Sequence, residues 1–86
     1  MNVAHTSPTP FAIVQSNSTI YEPPLYGIDV WTTGDVSIKN PKGDTITKTF
    51  PTAANGGSYP TRWVTQIRQV LDTGTTVTDA NLNGLK

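Results

Sequence analysis

The sequence predicts an all-β fold, a small antiparallel β-sandwich (jelly-roll-like) with an extended N-terminal arm, and three observations predict it. Fifteen threonines, with seven Gly and seven Pro in 86 residues, suit short strands and turns better than helices. Runs rich in Val, Ile and Thr recur between turns that carry Gly or Pro. The central stretch Val30 to Phe50, VWTTGDVSIKNPKGDTITKTF, reads as two strands folded back over Asn40-Pro41-Lys42-Gly43, where Pro presets φ near −65° and Gly permits a positive φ. Val36 and Ile38 share one face of the first arm, and Ile46 and Phe50 one face of the second, with Lys48 between them as the exception. The opposite side, with Ser37, Thr45, Thr47 and Thr49, is expected to meet solvent or a partner protein.

In chain order, residues 1–10 alternate small polar residues with Pro8 and Pro10 and are expected to form the arm, leaving residues 11–86 as one domain. Phe11 to Gln15 fits a first strand, and Glu22-Pro23-Pro24 forces a turn or a sheet edge because two consecutive donors are missing. Leu25 to Trp31 is the next strand, with Tyr26, Ile28 and Val30 on one face and Leu25, Gly27, Asp29 and Trp31 on the other. Gly27 marks a bulge or the close approach of a neighbour. Pro51 to Ser58 is a loop, freest at Asn55-Gly56-Gly57. In Thr61 to Leu71 the apolar residues Trp63, Val64, Ile67, Val70 and Leu71 recur with helical spacing, while a strand buried on both sides also accommodates them. Thr75 to Leu82 reads as the last strand, followed by a tail at Gly84.

Size and charge narrow the function. A chain this short makes one domain that buries only about 60–65% of its unfolded surface. With no Cys it has neither disulfides nor a thiolate metal site nor a Cys nucleophile, so oligomerisation is the remaining way to secure a small core. A formal net charge of +0, with 14% charged residues and its basic groups scattered, argues against a nucleic-acid partner. The opening MNVAHTSPTP lacks a basic region followed by an apolar run, and no window approaches the ~18 apolar residues of a membrane span, so a soluble chain without a membrane partner is expected. Asn17-Ser18-Thr19 matches a glycosylation acceptor and is read as a chance match.

No residues assemble a catalytic set. His5 is the sole histidine, so it makes no metal site, and neither a cofactor nor an enzyme activity is expected. Asp35 and Asp44 flank the hairpin and form a carboxylate pair only if its arms bring them together; the plainer reading is that each bonds its own turn backbone. Arg62 and Arg68 beside Trp63 are expected to be solvated or interfacial. Trp31, Trp63, Tyr21, Tyr26 and Tyr59 offer a sugar-stacking or subunit-contact surface, and Trp31 or Trp63 is expected to be half covered by the domain and completed by a partner subunit.

The second half of the chain carries a resemblance. Leu25-Tyr26-Gly27-Ile28-Asp29-Val30, Thr32-Thr33-Gly34-Asp35-Val36, Gly43-Asp44-Thr45-Ile46-Thr47 and Ile67 through Thr78 follow one another in an order that resembles the small spike-base and head-decoration proteins of tailed bacteriophages and phage-like gene-transfer particles. These are turn and strand motifs, not catalytic ones, and they span about Leu25 to Leu82. Two departures are visible: Ala80-Asn81-Leu82-Asn83 is less apolar than the family's closing strand, and the Asn55-Gly56-Gly57 loop is longer and more polar.

The resemblance favours strand over helix for residues 61–71. It implies a small β-sandwich on the capsid surface of the virion, acting as a head spike base or a cement protein. The implied partners are the major capsid protein, further copies in a trimer or pentamer, and a head fibre or spike protein. The contact candidates are Phe11, Tyr26, Trp31, Tyr59, Trp63, Asn55, Gly56 and Gly57. A carbohydrate-binding β-sandwich module and a tail or baseplate adaptor are the alternatives.

Overall fold

The structure, a computed structural model, describes residues 9–51 and 59–86. Seven strands run β1 (Pro10–Ala12), β2 (Leu25–Val30), β3 (Gly34–Lys39), β4 (Thr45–Phe50), β5 (Thr61–Ile67), β6 (Gln69–Val70) and β7 (Leu82–Leu85). They form two antiparallel sheets, one in the order β1-β7-β2-β5 and the other β4-β3-β6. The all-β sandwich is therefore present. Most of the predicted arm, and the whole Asn55-Gly56-Gly57 tip, lie outside the described residues. Pro10, assigned to the arm by the sequence, already opens β1, and Thr9 before it is tied to the other end of the described chain: Thr9 N donates to Lys86 O at 3.0 Å and Lys86 N to Thr9 O at 3.1 Å.

Between the sheets Leu25, Ile28, Val30 and Leu82 meet Val36, Ile38, Phe50 and Val70, joined by Ile13, Ile67 and Val77. The hairpin forms as the turn chemistry requires. Gly43 has φ 90°, and the Asn40 side-chain oxygen accepts from Lys42 N at 3.0 Å and Asp44 N at 2.9 Å. Val36 and Ile38 are buried together as expected, whereas Ile46 on β4 is exposed because that arm overhangs the core, and only Phe50 reaches in.

Three expectations are corrected. Leu25 and Tyr26 exchange faces: the register against β5 shifts between Leu25 and Gly27, so Leu25 joins the core and Tyr26 turns out. Gly27 serves both roles read for it, since a Cβ there would lie 2.4 Å from the Trp63 carbonyl oxygen. Ser37 does not meet solvent; it lies beneath Gly74 and shares a 2.6 Å hydrogen bond with Thr47. Finally, Thr75 to Leu82 is not a strand. Thr76 Oγ1 accepts from Asp35 N and Thr75 Oγ1 from Ser37 N, so hydroxyls occupy donors of β3 that a ladder would have used. A short 3-10 turn at Asp79–Asn81 follows, and the closing strand begins at Leu82. Gly84 is inside it because the Phe11 ring fills the space of a side chain there.

The strand reading of residues 61–71 holds, and the structure explains their helical spacing. The run serves both sheets: β5 belongs to the larger and β6 to the smaller, with Arg68 between them donating to Lys39 O at 2.7 Å. Changing sheets resets the alternation, so Ile67 and Val70, three apart, both enter the core. Gly27→Ala is expected to destabilise the fold by about 1–3 kcal/mol, because the clashing atom is main chain and cannot swing away; a lowered urea midpoint with unchanged slope checks it. Asn17→Ala should cost about 1–2 kcal/mol in the same assay, since its side-chain oxygen holds Asp72 N and Thr73 N.

Candidate functional site

The outer face of the four-stranded sheet gathers most of what the chain offers to a partner. Strand register aligns Asn83 of β7, Asp29 of β2 and Arg62 of β5 in one row. Asp29 is only 5% exposed and is gripped in a two-pronged contact, with Arg62 Nε at 2.8 Å from Oδ1 and an Arg62 terminal nitrogen at 3.1 Å from Oδ2. Asp29, first by this hydrogen bonding and then by its charge, holds the Arg62 guanidinium above its ordinary pKa. When the Asn83 amide is oriented with its oxygen toward the indole, Trp31 Nε1 donates to it at 3.2 Å. Val64, 57% exposed, and Tyr26, 52% exposed, supply apolar surface on the same side.

Of the contact candidates named from sequence, the sheet thus assembles Tyr26 and Trp31 on this face. Trp63 lies on the inner side, edge-on to Phe50 at 6.2 Å, with Lys48 Nζ 5.7 Å from each ring centroid. Phe11 is half-buried over Gly84 and edge-on to Tyr21 at 5.9 Å. Tyr59 is exposed ahead of β5, and Asn55, Gly56 and Gly57 fall outside the described residues. Arg68 sits at the crossing between sheets, its Nε buried with no hydrogen-bond partner among the described residues.

Asp35 and Asp44 do not meet. Asp35 opposes Thr49, while Asp44 lies beyond the Lys39–Thr45 pair at the other end of the hairpin, about 17 Å along the strand at the usual rise per residue. Asp44 instead closes its turn, and Asp35 takes its place in the sheet. Among the described residues no cluster of three or more His, Cys, Asp or Glu could hold a metal ion, and no helix is long and apolar enough to cross a membrane.

Among the concavities that adjoin the sandwich are two lined by described residues. One of about 320 Å³ is lined by residues 20–25 and Lys86. Burial, then the Asp79 charge, push the Tyr21 phenol at its wall above its ordinary pKa. The other, an open polar depression of about 410 Å³, lies between the hairpin turn and β5.

No family model, curated protein or solved structure matches the chain. What the surface can do chemically follows from its parts: a rigid sheet presents aromatic and aliphatic groups around an ion pair already satisfied within the chain. That suits contact, and its one buried carboxylate is engaged by a guanidinium. Sequence reasoning missed this pair and the outward Val64. The signal was an aspartate in the apolar run LYGIDVW, which requires a cation nearby once the strand is buried.

Arg62→Gln is expected to lower the urea midpoint by stranding Asp29. In the double variant with Asp29→Asn that loss should largely disappear, and a double-mutant cycle measures the coupling.

Proposed function

We propose that the chain is a structural protein of a tailed-phage virion, a head spike base or cement protein that anchors to the major capsid protein as a symmetric oligomer. The observation that carries the reading is the order of the turn and strand motifs from Leu25 through Thr78. Consistent with it, the chain offers contact surface: Tyr26 and Val64 stand exposed on a sheet face stiffened by the Asp29–Arg62 pair. In this reading the function is mechanical. Each copy contributes a modest apolar contact, at about 25 cal/mol per Å² removed from water, and the array multiplies those contacts through avidity.

A second reading, a carbohydrate-binding module, draws on Tyr26 and Trp31 lying on one face. Tyr26 lies near the start of β2 and Trp31 just past its end, about 16 Å apart at the usual strand rise, which fits two sugar contacts more poorly than one protein contact.

Purified particles test the proposal. The chain should co-sediment with the major capsid protein at a fixed stoichiometry, and an antibody label should decorate heads. Tyr26→Ser should reduce the copies retained per particle while leaving the urea midpoint of the free protein unchanged. A chain absent from particles that binds glycans overturns the reading in favour of the module, and label confined to tails favours an adaptor.

A further inference from the structure

We propose that Asn83–Gly84 is a deamidation site that the fold holds shut, one that reacts only when the chain unfolds and whose products refold less stably. Asn followed by Gly is the pair most prone to this chemistry, because glycine puts no Cβ in the way of its own nitrogen. The Gly84 nitrogen attacks the Asn83 side-chain carbonyl carbon, a C–N bond forms, and ammonia leaves with the proton that nitrogen gives up. Water then opens the resulting succinimide, at the side-chain carbonyl to give aspartate or at the main-chain carbonyl to give isoaspartate. The chain holds two such pairs, Asn55–Gly56 and Asn83–Gly84. The first lies outside the described residues.

At the second pair each group the reaction needs is engaged, since β7 runs between β1 and β2. Thr9 and Lys86 exchange both backbone bonds, so the alternation of an antiparallel ladder makes Phe11 and Gly84, two positions inward, the next pair to do so. That commits the Gly84 nitrogen to β1. On the other side Trp31 N donates to Asn81 O at 2.9 Å, and the same alternation bonds the Asn83 backbone to Asp29. The Asn83 amide, oriented as above, donates to Leu82 O at 3.1 Å and accepts from Trp31 Nε1 at 3.2 Å, which turns it back toward Leu82. The Phe11 ring closes over Gly84, where a Cβ would lie 2.4 Å from its Cε1.

Neither product fits the place that Asn83 occupies. Aspartate sets a carboxylate directly across from Asp29, which is buried and already engaged by Arg62, and like charges opposite each other weaken a sheet. Isoaspartate inserts a methylene into the main chain of β7, so the buried Leu85 beyond it loses its register with Gly27. A chain that opens long enough to react therefore returns to a poorer ladder. The argument rests on this ladder and stands independently of any place in a virion.

The full chain, incubated at mildly alkaline pH in buffer or in urea above its midpoint, tests this by mass spectrometry. Cleavage after Lys and Arg places Asn83 in residues 69–86 and Asn55 in residues 49–62, so the two pairs are read separately. Asn83 should convert more than about a hundredfold more slowly in buffer than in urea, because reaction tracks the opened fraction. Gly27→Ala should speed conversion in buffer about 5- to 150-fold as that fraction rises, whereas Tyr26→Ser, on the open face, should leave it unchanged. Asn83→Asp, the aspartate product, should lower the urea midpoint further than Asn83→Ser, which loses the Trp31 contact without adding a charge. Equal conversion with and without urea, a Gly27→Ala rate no faster than that of the unmodified chain, or an Asn83→Asp midpoint no lower than that of Asn83→Ser overturns the proposal.

Discussion

Everything in this sandwich depends on the crossing at Arg68. One covalent run, residues 61–71, forms the edge of one sheet and then enters the other, so the layers cannot slide apart without breaking it. The crossing is fixed on both sides: Arg68 N donates to Lys39 O at 2.7 Å, and Arg68 O accepts from Tyr21 N at 2.8 Å. Small sandwiches bury too little apolar surface to rely on burial alone, and without disulfides a corner of this kind is the cross-link available. Ile67 and Val70 on either side of it occupy the core, so the backbone bonds and the apolar packing strengthen the same place.

The crossing also explains why parts of the fold were legible in the sequence and others were not. The hairpin was readable because its turn is written in residues with strong local preferences, Asn40, Pro41 and Gly43, whose effect needs no distant partner. Gly27 was readable because a glycine inside a strand pattern marks a bulge or a close neighbour, although the neighbour itself, the Trp63 carbonyl, lies far away in sequence. What failed was parity carried across an irregularity: the bulge before Gly27 swapped Leu25 and Tyr26, and the sheet change at Arg68 made a strand imitate helical spacing. Thr75 to Thr78 misled because β-branched residues favour strands on average, yet here two hydroxyls serve β3 directly while the backbone goes elsewhere.

The contact surface was legible only in part. Tyr26 and Trp31 stood out as large aromatics in a chain with few of them. Asp29 and Arg62, 33 positions apart, become partners only through the register of β2 against β5, which no local preference announces. The same limit applies to Asn17. Its acceptor-site triplet drew attention for chemistry, whereas its side chain clasps the 72–73 turn, with the side-chain nitrogen donating to Thr73 Oγ1 at 3.0 Å. A residue's neighbours in space give it a task that its neighbours in sequence do not disclose.

The reciprocal bonds between Thr9 and Lys86 place the two ends of the described sheet at a single corner. Tension applied through both ends at once would peel β1 from β7 one rung after another, the weak direction for a ladder, whereas a pull through one end against a seat elsewhere on the molecule loads many rungs together. As a piece of hardware the domain is therefore suited to bearing force between an end and a face, and poorly suited to serving as a link in a chain.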